Sequence, residues 1–319
     1  MGKCNRSRKN RFSRFPYKRK EVLSLSQALK QYAWGITAFN LPDAWKHSQG
    51  EGVTIAVLDS GCDLNHDELK SNILQGVNFV DPGKDPEDDD AHGTHVTGII
   101  CADNDGHIVG IAPKAKVYPV KVLDRNGNGD LNWIVQGIRW ATKRKVDIIS
   151  MSLGCPRPVP DVWKEIKKAY SQGITIFVAA GNAGKTEDIF YPAAYPEVIS
   201  IGAIDRNFKR ADFSSTGPSL DFMAPGVDVL STVPKNWYAV LSGTSMAQPF
   251  ACGVAALLLS YSRNTPNCGI HLKSMEDYMR IFKEYTTPVV NGNYTNPEFY
   301  NGFGIIDPRK FMESLNSNH

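Results

Sequence analysis

The chain has 319 residues, 42% of them hydrophobic and 22% charged, a balance that suits an ordinary globular protein with a sizeable core and argues against disorder. Its longest uninterrupted apolar run, VAALLL at 254–259, falls far short of the roughly 20 residues that a membrane span needs, so no membrane role is expected. Nine of the 36 Lys and Arg lie in the first twenty residues, which hold no acid, so a basic arm precedes a body with 27 basic and 33 acidic residues.

The arm, residues 1–20, comes first in chain order. It lacks an apolar stretch and a small-residue cleavage site, so it does not read as a secretory signal, and the protein is expected to be cytoplasmic. Arg6 stands where a myristoylation signal wants Ser or Thr. A basic arm binds nucleic acid, binds an anionic membrane or folds back onto its own body. Without a recognised reader motif, nucleic acid is not the expected partner. After the arm, VTIAVLD (53–59) reads as a buried strand, 92–102 as a helix, KVYPVKVLD (116–124) as a strand and 131–145 as a helix. VDIISMSLG (146–154) and ITIFVAAGN (174–182) are further strands, with a helix at 161–172 between them. A buried helix is expected at 244–262, another helix at 272–285 and a return strand at 302–307. Near-continuous apolar strands alternating with helices indicate an α/β fold with a parallel sheet covered on both faces. Polar loops fall at 81–90, 126–129 and 155–160. With no internal repeat and no clear linker after residue 50, residues 21–319 are expected to form one domain. Cys4, Cys62, Cys101, Cys155, Cys252 and Cys268 show no CxxC spacing and read as reduced thiols.

Three stretches carry side chains suited to chemistry: Asp59 ends the first strand in VLDSG, His92 opens HGTHVTGII, and Ser245 opens a helix in SGTSMAQP. Singly, each has a plainer reading, since a strand-end Asp forms turns, a histidine at a helix start caps or packs, and a serine there is a cap. A metal site on His92 and His95 lacks further ligands at suitable spacing. Jointly, they supply what a serine nucleophile needs: an imidazole to take its proton, and a carboxylate to fix the tautomer and stabilise the imidazolium. The unpaired amides of a first helical turn point at the same spot. The order Asp, His, Ser is one of the convergent triad orders.

With these motifs in hand, residues 30 to 310 resemble the subtilisin family of serine proteases. The resemblance implies a three-layer fold, a mostly parallel sheet flanked by helices, and hydrolysis of peptide bonds in protein or peptide substrates through an acyl-enzyme. AAGNAG (179–184) resembles the family's oxyanion segment, which makes Asn182 the side-chain donor beside the Ser245 amide. Gly127, Asn128 and Gly129 with Leu131, and Ser152, Leu153 and Gly154, resemble the two edges between which the family binds an extended peptide as an added strand. A catalytically silent binding or regulatory protein on the same fold is the alternative; it needs none of Asp59, His92, Asn182 and Ser245.

Within the family the chain is similar to the intracellular subtilisins, whose short N-terminal extension lies over the active site until it is cleaved off. Phe15, Pro16 and Tyr17 resemble the motif of that extension, with Arg14 where an apolar residue is usual. A proline there removes an amide donor and would distort the bound strand. Residues 1–20 would then be an inhibitory propeptide, cut near Lys18-Arg19-Lys20; a plain basic tail is the other reading. A homodimer is also implied by the relatives. Asp90 is placed to face the second substrate residue before the scissile bond and to favour Lys or Arg there, unless it belongs to a merely solvated acidic loop. Ala183 replaces a frequent acid. Phe190 replaces a small residue lining the first specificity pocket and shortens that pocket if its ring points inward. Gln248 and Phe250 replace the usual Ser and His, with only packing consequences expected. Structural calcium is implied by two sets of resembling positions: Glu68 with Ala102, Asn104, Gly106 and Ile108, and Ala193, Tyr195 and Val198 with Asp221. Oxygen ligands of that kind suit a hard cation.

Overall fold

Strands that are apolar along their whole length must be covered on both faces, and the chain wraps helices around one large sheet to do so. The structure, a computed structural model, describes residues 33–317 apart from 104–105, 185–188, 267 and 291–295, together with two short N-terminal strands. The strands are β1 (Phe12–Arg14), β2 (Lys18–Lys20), β3 (Thr54–Asp59), β4 (Val77–Asn78), β5 (Lys116–Lys121), β6 (Asn128–Gly129), β7 (Ile148–Met151) and β8 (Leu153–Gly154). They continue with β9 (Thr175–Ala179), β10 (Ile199–Ile204), β11 (Phe222–Pro225), β12 (Val229–Val233), β13 (Trp237–Ser242), β14 (Thr286–Thr287) and β15 (Ile305–Ile306). The helices are α1 (Trp34–Ala38), α2 (Leu41–Ala44), α3 (His92–Cys101), α4 (Leu131–Arg144), α5 (Pro160–Ser171), α6 (Thr244–Asn264), α7 (Met275–Glu284), α8 (Pro297–Asn301) and α9 (Pro308–Ser317).

The main sheet runs β14-β15-β11-β10-β9-β7-β3-β5-β4 and is parallel except where β14 meets β15. From β3 the chain passes through α3 to β5 on one side, then through α4 to β7 on the other. At such a reversal the carboxyl ends of the strands open a crevice where ligands gather, and Asp59 is the last residue of β3. Helices α3 and α6 pack on each other, α6 lying across β7, β9, β10 and β11, while α4 and α5 form a separate pair on β3 and β9. All of α3 is buried, as is α6 from Thr244 to Tyr261, which accounts for sequences apolar all round. In α4 only a stripe of Ile134, Gly137, Ile138, Ala141 and Thr142 is buried.

The helices expected at 92–102, 131–145, 161–172 and 244–262 form within one or two residues of those limits. The helix expected at 272–285 starts at Met275, behind a capping box of Ser274 and Asp277. The strand expected at 116–124 stops at Lys121 because the amides of Val122 and Leu123 turn to the Asp59 carbonyl at 2.9 and 3.1 Å. The run at 146–154 breaks at Ser152 into β7 and β8, and the run at 302–307 shrinks to Ile305–Ile306. Strands β10 to β13 were not anticipated. In the β12–β13 hairpin, Lys235 and Asn236 take positive φ of 73° and 56°, where glycine is the usual signal.

Five cysteines, at 62, 101, 155, 252 and 268, are free thiols, as expected; burial raises the Cys101 thiol to about 12. Cys4 lies outside the described residues. Among those residues, no helix is long and apolar enough to cross a membrane.

The β12–β13 hairpin is latched to α3. Ser231 Oγ donates to the His95 carbonyl and Thr232 Oγ1 to the Thr94 carbonyl, each at 2.8 Å. His95 is wholly buried, its Nε2 donating to the Ala239 carbonyl at 3.1 Å, and burial lowers its pKa to about 3. The unfolded chain therefore takes up a proton, below its ordinary value near 6.5, that the folded chain refuses. The stability present at neutral pH is lost as pH falls from 6.5 toward 3, by up to about 1.4 kcal/mol per pH unit. His95→Gln, whose carboxamide keeps the bond to Ala239, should flatten the acid limb of stability measured by urea titration at successive pH values. An unchanged slope would mean that other groups set that limb.

Candidate active site

The site forms where the end of β3, the start of α3 and the start of α6 meet. Asp59 and His92 are both fully buried, and Asp59 Oδ1 lies 2.8 Å from His92 Nδ1. The same oxygen accepts the Ser60 amide at 2.7 Å, while Oδ2 has no hydrogen-bond donor among the described residues. Two side chains fix the helix start on which His92 stands by satisfying its orphan amides. Ser60 Oγ accepts the Gly93 amide at 2.9 Å. Asp88 accepts the Thr94 amide at 2.8 Å and the Thr94 hydroxyl at 2.6 Å, and its other oxygen takes the Ser60 hydroxyl at 2.8 Å. Buried Lys121 donates to the Ser60 carbonyl and to Asp89, the latter at 2.6 Å.

Ser245 is buried in the first turn of α6, and its Oγ donates to the Ser152 carbonyl at 3.5 Å. Asn182 Oδ1 accepts from the Thr244 amide at 3.0 Å and the Thr244 hydroxyl at 2.8 Å. Its Nδ2 is turned toward the Gly243 turn, where an added Cβ would come within 3.2 Å of it.

The two edges expected to bind peptide are β6, which contains Asn128 and Gly129, and β8, which contains Leu153 and Gly154. They do not pair with each other. Strand β1 of the N-terminal arm lies between them, antiparallel to both, with Ser13 opposite Asn128 and Gly154 and Arg14 opposite Leu153. Gly127 takes φ 69° in the turn held by Asp124, and Leu131 starts α4. Strand β2 pairs with β13, Lys18 opposite Ser242, three residues before Ser245. Phe15, Pro16 and Tyr17 lie outside the described residues, as does Asn104.

Asp90 is half-buried, two residues before His92. Phe190 turns its ring onto Gly181, with Cδ1 3.2 Å from where a Cβ would stand, so the ring lies against the segment that carries Asn182. Gln248 departs from the expectation of packing alone: its Oε1 accepts the hydroxyls of Ser150 and Ser152, each at 3.0 Å. Phe250 does pack, against Phe39 at 5.2 Å between ring centroids. Ser60, Asp88 and Thr244 give no sequence signal because their partners lie far along the chain or, for Asp88, because a run of acids hides it.

Of the calcium positions, Glu68 is 2% exposed. Its Oε1 takes the His107 amide and the Tyr238 hydroxyl, each at 2.6 Å, while Oε2 has no donor among the described residues. A Cβ on Gly106 would come within 2.4 Å of that carboxylate, so the loop backbone lies directly against Glu68. The Ala102 carbonyl accepts the Gly110 amide at 2.9 Å, and Ile108 packs beside Leu230 and Val240. At the second set, Ala193, Tyr195 and Val198 are buried. Asp221 Oδ2 accepts the Ser200 amide at 2.8 Å, and burial raises its carboxyl to about 6. No cluster of three or more His, Cys, Asp and Glu side chains gathers among the described residues. The orphaned Oε2 of Glu68 nonetheless fits a hard cation whose other ligands are carbonyls and amides.

The Subtilase family model matches residues 50–292. The chain is 44% identical over 247 residues to an intracellular serine protease of Paenibacillus polymyxa, covering 75% of this chain and 76% of that one. It is 43% identical over 242 residues to the major intracellular serine protease of Bacillus subtilis (strain 168), covering 72% and 76%, and 40% identical over 284 residues to subtilisin E of the same strain, covering 86% and 69%. A family model that spans most of the chain, and relatives aligned over most of their own length, converge with the geometry: the chain belongs to the subtilase family and is a subtilisin-like serine endopeptidase.

Proposed function

We propose that hydrolysis is carried by Ser245 as nucleophile, His92 as base and then acid, and Asp59 as the group that orients His92. Asn182 and the Ser245 amide hold the oxyanion. The observation that carries this reading is the fully buried 2.8 Å contact between Asp59 Oδ1 and His92 Nδ1. An ionised carboxylate only accepts, so Nδ1 bears the hydrogen and Nε2 keeps its lone pair. Ser245 Oγ passes its proton to Nε2 as it bonds to the substrate carbonyl carbon. The imidazolium then returns that proton to the departing amine as the C–N bond breaks, and water repeats the sequence to release the acid. Thr244 holds Asn182 by its oxygen, which supports Nδ2 as the donor to the developing oxyanion.

Residues 1–20 act as an inhibitory extension on this reading, supported by β1 lying between β6 and β8 as an added strand would. The names of two relatives, both intracellular proteases, support work inside the cell. In a time course of intact mass, the wild type should lose a fragment ending near residues 17–21 and then digest casein, while Ser245→Ala does neither. Asn182→Ala should lower kcat by ~10²–10³ with little change in KM, a magnitude established on another member of the family. A wild type that stays full length and inert even after removal of the arm would leave a silent binding protein as the better reading.

Asp90 selects Lys or Arg at the second substrate residue before the scissile bond, and the inward ring of Phe190 excludes large aromatics at the first. On a peptide set varied at those two positions, Asp90→Asn should erase a preference for Lys over Ala, and Phe190→Gly should admit Phe and Tyr. Wild-type enzyme that cuts Lys and Ala peptides equally would sink the first assignment.

Calcium, held by Glu68 with the carbonyl oxygens of its loop and by Asp221 with those of its own, contributes stability and takes no part in the hydrolysis. A ligand at a hundred times its Kd stabilises by about 2.7 kcal/mol. EDTA should therefore lower the Tm of the wild type, and by less for Glu68→Gln; a Tm indifferent to EDTA would count against both sites.

A further inference from the structure

The carbonyl of Ser245 lacks its ordinary partner. In a regular helix it would accept the amide four residues on, but that residue is Pro249, inside α6, which has no N–H. Ser152 supplies the missing donor, its Oγ lying 3.2 Å from the Ser245 carbonyl. The same hydroxyl lies 3.0 Å from Gln248 Oε1, which also receives Ser150 Oγ at 3.0 Å. A serine hydroxyl carries one hydrogen, so Ser152 divides it between Ser245 and Gln248.

Gln248 is fully buried, and its Nε2 has no hydrogen-bond partner among the described residues. A half turn of the carboxamide exchanges its ends. Nε2 then donates to both serine oxygens, and the Ser152 hydrogen passes undivided to Ser245. In either state one side chain grips both Ser150, in β7, and Ser152, at the break just after it. In either state, too, one end of the carboxamide stays unpaired in the interior, a cost that a methionine of similar shape would not carry. Packing alone gives no reason for glutamine here, whereas a brace between helix and strand does. Ser152 is the residue that separates β7 from β8, and Leu153 and Gly154 of β8 already pair with an extended strand.

We propose that Gln248 is a positioning residue that, through Ser152, fixes the distance between the nucleophile turn of α6 and the peptide-binding edge β8. This rests on the reading of Ser245 as nucleophile. Gln248 touches no substrate. Its effect should fall on substrates held by both parts at once, and spare those that meet the nucleophile alone.

The test compares self-processed wild type and Gln248→Met on a tetrapeptide anilide, long enough to lie along β8, and on p-nitrophenyl acetate, which reaches only the nucleophile. Misplacement on the scale of an ångström can cost far more, so we expect kcat on the anilide to fall about tenfold, kcat on the ester by about twofold or less, and Tm to stay level or rise. Ser152→Ala should lower anilide turnover as well, and Gln248→Met should add nothing in that background, because neighbours acting through one contact are not additive. Unchanged anilide turnover, equal loss on both substrates, or full additivity with Ser152→Ala would each overturn the proposal. If Gln248→Met does not fold, Gln248→Ser, too short to reach the strand, is read by the same criteria. A wild type that neither reacts with a serine-directed fluorophosphonate nor turns over either substrate would overturn the reading of Ser245 itself, an outcome distinct from the others.

Discussion

A buried carboxylate beside a buried imidazole sets the terms for the surrounding fold. Desolvating a charge is tolerated only where a partner and hydrogen bonds compensate it, and Asp59 finds both in His92 and the Ser60 amide. To bring them there, the end of a parallel strand must meet the start of a helix whose first amides would otherwise be orphaned. Ser60 and Asp88 satisfy those amides, and the Asp59 carbonyl takes the Val122 and Leu123 amides that end β5. One short segment, Asp59-Ser60, thus ties β3, β5 and α3 together, and the topological reversal at β3 gives it a crevice to face.

The second helix start carries a different burden. The turn before α6 must bring Ser245 close to Asn182 and to the strand edge at Ser152, so it is built from residues that approach without bulk. The carboxamide of Asn182 is pinned by Thr244 from one side, and the carbonyl of Ser245 is answered from the other by Ser152. Helix start and strand edge therefore share hydrogen bonds in both directions, since Ser245 Oγ also donates to the Ser152 carbonyl. A change in either element would be felt by the other.

How much of this could be read from sequence depends on the range of the interactions. Helix α6 is apolar over many turns, α3 intersperses its His and Thr with Gly, Val and Ile, and β3, β5, β7 and β9 are short runs enriched in Val, Ile and Thr, so each announces itself locally. Asp59, His92 and Ser245 were legible because each stands at the boundary of such an element. Strands β10 and β11 were harder: ISIGAI carries a glycine and FMAP ends in proline, which reads as a break. The β12–β13 hairpin turns on Lys235 and Asn236 at positive φ, a geometry its residues do not advertise. Gln248 was misjudged because its partners, Ser150 and Ser152, lie nearly a hundred residues away and no local pattern pairs them. The inward ring of Phe190 could be anticipated only as a condition, since nothing short of its contact with Gly181 fixes its direction.

The arrangement of the arm bears on how inhibition would end. Strand edges left open invite pairing, and here the chain fills three of them itself: those of β6 and β8 with β1, and that of β13 with β2. Each of these strands has only three residues, and strands so short are marginal when they pair alone. They hold because one covalent chain presents both, so that seating one raises the effective concentration of the other. A cut near residues 17–21 severs the arm from the body, so its strands are no longer held at the effective concentration that the intact chain imposes. The released piece would then depend on its own few hydrogen bonds, against a surface that, on the proposed reading, an extended substrate also uses. On that reading, cleavage would thus release the edge irreversibly without altering any residue of the candidate site.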